Sequence, residues 1–304
     1  MSKSTSVVSI IMNCYNSERF LAEAIDSIYA QTYKDWEIVF WDNASTDRSP
    51  EIAKSYDERL KYYCSNSFSS LGEARNSALQ KASGKYIAFL DCDDLYFPDK
   101  LDKQIRLMES SNYALCYGGV VIIDESGEEI RRHRVRNKSG YLINQLLKKY
   151  EINMQSVMIS KAVIDNEGLE FETKLKYSPD FNLFMNIAAK YPIGVIEDFL
   201  AKYRVCSDSL SKEMLHLVSS EMKFTLDSIS NKYSYIKEKH NKALNTAYTK
   251  LHYYDAINLI DKGSLKQARK KLFHIIWCSP KYLALLLLTY TWFSKKKILS
   301  LLRR

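Results

Sequence analysis

Short apolar runs alternate with helically spaced apolar positions along the first third of the chain. "VVSIIMNC" (Val7 to Cys14) is nearly continuous in apolar residues, as expected of a strand buried on both faces of a sheet. Ser17 follows as a candidate N-cap, and Leu21, Ala24, Ile25 and Ile28 then recur at helical spacing. The alternation continues with a strand at "WEIVFW" (Trp36 to Trp41), a helix over Pro50 to Tyr56, a strand at "LKYYC" (Leu60 to Cys64) and a helix over Gly72 to Ala82. "KYIAFL" is a fourth strand, and Pro98 opens the next helix at its first-turn position. Such a pattern predicts an α/β fold whose mostly parallel sheet is flanked by crossover helices.

Past Gly118 and Gly119 the pattern loosens. "VVIIDESGEEIRRHRV" predicts a hairpin turning at Ser126 and Gly127. Asp180 stands just ahead of a helix carrying Leu183, Phe184 and Ile187 on one face, and could serve as its N-cap. From about Ser211 the sequence reads as helical, which divides the chain into an α/β region, 1–210, and a helical region, 211–304.

In an open parallel sheet, ligands bind outside the carboxyl ends of the strands. Asn13, Tyr15 and Asn16 follow the first strand, Asp42, Asn43, Ser45 and Asp47 the second, and Asp91, Asp93 and Asp94 the fourth. Turns and caps also favour Asn, Asp and Ser, but three polar clusters at one sheet edge point to a crevice. Like charges as close as Asp91, Asp93 and Asp94 raise one another's pKa unless a cation holds them. Hard oxygen ligands at a strand end suit Mg²⁺ or Mn²⁺, which in turn bridges phosphate oxygens. The chain contains neither GxxxxGK[ST] nor GxGxxG, so a Walker-type ATPase and a Rossmann dehydrogenase are excluded and the metal must hold the phosphates.

Six cysteines without a CxxC pair indicate neither a zinc site nor a disulfide framework, and with an N-terminus unlike a secretory leader they predict a cytoplasmic protein. Charge is uneven. Residues 261–304 hold eleven Lys and Arg against Asp261, a balance of +10 in a chain of net +8, so the first 260 residues stand near −2. That distribution does not predict a nucleic-acid channel.

Residues 7 to about 210 resemble the family 2 glycosyltransferases of GT-A fold. The resemblance is carried in order by "VSIIMNCYNSERFLAEAIDSIYAQTY", "EIVFWDNASTDRS", "GEARNSALQKASGKYIAFLDCDDLYFPDKL", "YSPDFNLFMNIAAKYP" and "LAKYRVCSDSLS". It implies metal-dependent transfer of a sugar, with inversion, from a nucleotide-diphosphate donor (a UDP-sugar favoured) to a glycan or lipid-linked acceptor in cell-surface polysaccharide or lipo-oligosaccharide synthesis. By position, Asp42 and Asn43 would meet base and ribose, Asn43 standing where the family has a second acid. Arg75 and Asn76 match its "ARN" near the nucleotide, and Asn13 and Tyr15 join that set. Asp91 would meet the ribose and Asp93 the Mn²⁺ or Mg²⁺ ion, as the acids of a DxD motif. Asp180 matches the general base, with Pro179 in the place of a Glu. Arg204 matches the Arg of a loop that closes over the diphosphate, and Cys206 replaces that loop's His.

In the tail, Leu265, Ala268, Leu272, Ile275 and Ile276 line one helix face and Lys266, Arg269 and Lys270 mostly the other, and Ser279 and Pro280 start a second helix. The apolar run Tyr282 to Phe293 is too short to span a bilayer. With Trp292 and Phe293 it predicts a Lys-rich helix lying in the headgroup layer at the inner face of the cell membrane, against the alternative of packing on protein. Two rival readings of the whole chain are a haloacid-dehalogenase-type phosphatase with Asp91 as nucleophile, and a non-catalytic nucleotide-sugar-binding protein.

Overall fold

The computed structural model describes residues 7–206, 214–278 and 280–290. They form two compact units, 1–143 with 151–207, and 144–150 with 208–304. The first unit begins β1 (Val8–Cys14), α1 (Glu18–Tyr29), β2 (Trp36–Asp42), α2 (Ser49–Lys54), β3 (Leu60–Cys64), α3 (Leu71–Leu79), β4 (Tyr86–Phe89). There follow β5 (Leu95–Tyr96), α4 (Lys100–Glu109), β6 (Leu115–Ile123), β7 (Glu129–His133) and α5 (Ile143–Lys148), most of which belongs to the second unit. β8 (Met158–Ser160), α6 (Lys161–Glu167), α7 (Pro179–Ala188) and β9 (Ile193–Arg204) complete it.

Among the described residues nine strands make one sheet, ordered β3-β2-β1-β4-β8-β6-β9-β5 with β7 on β6. β3, β2, β1 and β4 run parallel, as do β6 and β9, while β8, β7 and β5 pair antiparallel. The predicted α/β architecture is thus present, with additions that the sequence pattern does not reveal. β5 and β8 are two and three residues long, too short to display a period.

β1 is buried on both faces because α1 covers one of them. Val8, Ile10 and Met12 share a core with Leu21, Ala24, Ile25 and Ile28 of α1, with Ile38 and Phe40 of β2 and with Ala88 of β4. Each large aliphatic side chain removed from water there contributes about 1.5–3 kcal/mol. Gly84 lets the turn before β4 approach β1, since a Cβ there would stand 2.6 Å from the Ser9 nitrogen; its N–H donates instead to Ser9 Oγ at 2.8 Å. The hairpin turn between β6 and β7 falls as predicted, with Gly127 at φ +87°.

Two predicted helix starts are corrected. Ser17 holds the N-cap position of α1 as predicted, but its hydroxyl donates to the Tyr15 carbonyl; its own N–H is met by Ser49 Oγ (3.0 Å) and the Glu18 N–H by Asp47 Oδ2 (2.9 Å). Pro98 lies before α4, whose N-cap position is Asp99, and its carbonyl accepts from Thr32 N–H at 2.9 Å. Asp180 is not a cap. Ser178 occupies that position, Pro179 with its fixed φ begins α7, and Asp180 falls inside the first turn.

In the second unit, helices Tyr235–Asp261, Leu265–Phe273 and Pro280–Leu288 share a core of Ala256, Ile260, Ala268, Leu272, Ile275, Leu285 and Leu286. The stripe expected to face lipid is therefore spent on helix packing, a correction with a simple cause: a face that can bury itself within the chain needs no bilayer. No described helix is long and apolar enough to cross a membrane. Ser279, Trp292 and Phe293 lie outside the described residues.

Lys100 is fully buried, its ammonium bonded to Gln104 Oε1 (2.6 Å) and 4.1 Å from the centre of the Tyr96 ring. Burial pulls its pKa down to about 7, against about 10.4 in an unfolded chain. Between those values the unfolded chain binds more protons, so stability rises with pH and the charged lysine weakens the fold at and below neutrality. Lys100→Met is expected to stabilise the protein by about 1–4 kcal/mol at pH 6–7. In urea titrations the gain should shrink as pH rises toward 10; a constant gain or a loss contradicts this account.

Candidate active site

The carboxyl ends of β1, β2 and β4 meet as the parallel register requires. At the turn after β4, Asp94 N–H donates to the Asp91 carbonyl at 3.1 Å, and two arginines come in from elsewhere. Arg75, buried on α3, sets its guanidinium 3.5 Å from Asp91 Oδ1. Arg204, buried at the end of β9, donates from Nε to the Asp93 carbonyl (2.8 Å) and from its own amide to Asp94 Oδ1 (2.6 Å). The same guanidinium reaches Glu23 Oε2 on α1 (2.7 Å) and the carbonyls of Asp124 (3.3 Å) and Glu125 (3.4 Å) at the hairpin, with Phe20 stacked 4.3 Å away.

Arg204, which the resemblance matches to the Arg of a loop closing over the diphosphate, stands here at the end of β9. Register pairs it with Ile123 inside the sheet, and its nitrogens are committed to protein. It supports the acidic turn from beneath. The Asp93 carboxylate is pushed up to a pKa of about 6 by burial and then by Asp91, a shift that the charge of Arg204 offsets only in part. Asp94 is raised well above the carboxylate range by burial and its two acidic neighbours, and its Oδ2 has no hydrogen-bond partner.

Among the described residues no three His, Cys, Asp or Glu side chains form a ready cage for a metal. Asp91 and Asp93 nevertheless fit a Mg²⁺ or Mn²⁺ ion, which takes one or two carboxylates and completes its shell with phosphate oxygens and water. The charge on Asp93, offset only in part by Arg204, is the physical reason to expect a cation there.

Around the second strand end, Asp42 accepts from Tyr62 Oη (2.5 Å) and from Ser45 N–H (2.8 Å). The Asn43 amide is used at both ends by one residue: Nδ2 donates to the Ser69 carbonyl (2.9 Å), and Oδ1 accepts from Ser69 N–H (3.1 Å) and Oγ (2.9 Å). A carboxylate could not make the first of these bonds. Asn76 is engaged likewise, donating to the Phe171 carbonyl (2.9 Å) and accepting from its N–H (2.8 Å). Asn13 differs, because its buried Nδ2 has no partner. Tyr15, 48% exposed, leans on Phe68, 62% exposed, with ring centres 4.6 Å apart.

Asp180 stands in the first turn of α7, where burial raises its pKa; Arg75 opposes that shift and Asp91 adds to it. Asp180, the predicted base, and Asp91 therefore share one electrostatic environment centred on Arg75. Cys206 Sγ lies 3.8 Å from Asp93 Oδ2, and loop residues 207–210 are outside the described residues.

Sequence reasoning missed Gln155, which lies in the short helical turn Met154–Ser156. Its Oε1 accepts from Asp91 N–H (2.9 Å) while its Nε2 donates to Asp91 Oδ2 (2.6 Å). Nothing in "EINMQSVMIS" marks that residue, because its partner is 64 positions away. Phe68 was missed for the same reason: a lone aromatic in a serine-rich loop carries no pattern.

The family-wide sequence pattern of glycosyl transferase family 2 matches residues 9–162, just over half of the chain. The chain belongs to this family. It is 34% identical over 206 residues to an uncharacterized glycosyltransferase of Methanocaldococcus jannaschii, covering 66% of this chain and 71% of that one. It is 32% identical over 208 residues to WfgD of Escherichia coli, a UDP-Glc:alpha-D-GlcNAc-diphosphoundecaprenol beta-1,3-glucosyltransferase, covering 67% and 79%. The chain spans only a third of the length of a relative from Rickettsia felis. Mannosyltransferase PcManGT from Pyrobaculum calidifontis, solved with GDP-Man and Mn²⁺, superposes with a TM-score of 0.59 at 17% identity over 93% of this chain and 79% of its own, a likeness of fold. The family 2 protein is an enzyme, a glycosyltransferase, and nothing favours the phosphatase or the non-catalytic alternative.

Gln155→Ala should cost about 1–3 kcal/mol in urea titrations, since Asp91 loses partners for its amide and its carboxylate. Gln155→Glu should cost more, because it sets a second carboxylate against Asp91. The reverse order would remove the positioning role from Gln155.

Proposed function

We propose that this family 2 glycosyltransferase moves a sugar with inversion from a nucleotide-diphosphate donor, with a UDP-sugar favoured, to a glycan or lipid-linked acceptor of a cell-surface polysaccharide. The observation that carries the reading is the grouping of Asp91, Arg75 and the half-buried Asp180 in one electrostatic environment, beside an Asp93 carboxylate whose charge Arg204 offsets only in part. WfgD, which by name uses UDP-Glc and a diphosphoundecaprenol-linked acceptor, supports the donor and acceptor classes. The Mn²⁺ bound with GDP-Man to PcManGT supports the metal.

In this reading Asp93, with Asp91 beside it, holds Mg²⁺ or Mn²⁺, whose charge would stabilise the departing diphosphate. Asp42, Tyr15 and the free Nδ2 of Asn13 meet the nucleoside, while Asn43 and Asn76 act one step back by fixing the Ser69 and Phe171 segments. Asp180 accepts the proton of the attacking acceptor hydroxyl. Its raised pKa suits that role, because a base with proton affinity nearer the working pH takes a larger share of the proton in the transition state. Pro179 starts the helix and so fixes where Asp180 points. Attachment at the inner membrane face remains part of the proposal, now resting on outward-facing Phe273 and Trp277, which is 89% exposed.

Asp180→Asn is expected to lower kcat by about 10²–10⁴-fold with donor affinity unchanged. Turnover within a few-fold of wild type would remove Asp180 as base. Calorimetric titration of UDP, dTDP and GDP, with and without Mn²⁺, should find one nucleotide that binds wild type only with metal and fails to bind Asp93→Ala. Equal binding by that variant would rule out the metal assignment, and preference for GDP would rule out the UDP-sugar.

A further inference from the structure

The second unit contains a groove of about 600 Å³ lined by none of the residues assigned above to the transfer reaction. Its walls are the end of helix Tyr235–Asp261, with His252, Asp255 and Asn258, and helix Leu265–Phe273 with its following turn, with Gln267, Lys270, Lys271 and His274. Lys262 closes it at the turn between them. Lys271 is bridged to Asp255 at 2.6 Å, so the one carboxylate of the lining is already answered. The exposed Lys262 and Lys270 have no ion-pair partner among the described residues. The rings of His252 and His274 stand 6.3 Å apart, and His252 Nδ1 is shielded from solvent without a hydrogen-bond partner.

We propose that this groove binds a phosphate or diphosphate group, held by Lys262 and Lys270 and by hydrogen bonds from His252 and His274. The chemistry is that of an oxyanion site. Two uncommitted ammonium groups supply charge, two imidazoles supply directional donors that become charged on protonation, and Gln267 adds a neutral amide beside that of Asn258, which also donates to the His216 carbonyl at 3.3 Å. Without the anion the imidazole of His252 is held below its ordinary pKa by burial, then by Lys271 and His274, with Asp255 opposing. A bound oxyanion reverses that balance, so its binding and protonation of the His252 ring strengthen one another. The same oxygens could belong to a free phosphate compound or to an anionic lipid headgroup, and the exposed Phe273 and Trp277 on the adjoining helix and turn make the second source worth its own arm.

The full chain labelled with ¹⁵N-histidine, which has only five histidines to resolve, is titrated with inorganic pyrophosphate in the presence of a chelator that removes divalent metal from the acidic turn. The expected result is a shift of the His252 and His274 ring nitrogens and a rise in the His252 pKa. Affinity should fall at least tenfold in the double variant Lys262→Ala/Lys270→Ala, whose exposed positions leave the core untouched. The second arm replaces pyrophosphate with phosphatidylglycerol vesicles, with phosphatidylcholine vesicles as control. A response to phosphatidylglycerol alone, lost in the double variant, identifies the source as a headgroup and supports the site equally. No shift with either probe, or shifts that persist unchanged in the double variant, overturns the proposal.

Discussion

The Arg204 guanidinium is the constraint on which the rest of the first unit depends. One side chain at the end of β9 joins the backbone of the acidic turn, the carbonyls of the β6–β7 hairpin and Glu23 of α1. Three segments far apart in sequence thus converge on a rigid planar fork that is always charged. Its buried position has an electrostatic consequence: its charge opposes the upward shifts of Asp93 and Asp94, but burial and the neighbouring carboxylates outweigh it.

The same division between supporting and offering recurs around the crevice. Asn43 and Asn76 each place both ends of an amide on a single backbone residue, so each behaves as a clamp on a loop. Asn at position 43 is physically apt where the family has an acid, because only an amide can donate to the Ser69 carbonyl while accepting from its N–H. Gln155 plays the corresponding part for Asp91. Tyr15 and Phe68 stand exposed against one another, and Asn13 Nδ2 has no hydrogen-bond partner.

The structure also places charge where it costs stability. Lys100 and Asp94 are buried with their charged forms disfavoured, one pulled down and the other pushed up by desolvation. Asp94 lies in the acidic turn, where strain of this kind accompanies a binding function. Lys100 opens α4 beneath the same sheet and has no such association in the structure.

Much was legible without coordinates. Continuous apolar runs alternating with helical stripes are enough to predict parallel strands with crossover helices, since local periodicity depends only on which faces of each segment are buried, and that architecture in turn predicts which strand ends hold the polar clusters. The order of motifs from Asn13 to Asp180 was sufficient to place the chain in its family. Tertiary structure decided what each polar side chain is used for. Arg204 as a buried support, Asn43 and Asn76 as clamps, Gln155 on Asp91 and the inward packing of the tail's apolar stripe all depend on partners dozens to more than a hundred positions away or on a neighbouring helix. A hydrogen bond is set by distance and direction in space, and one-dimensional spacing records neither.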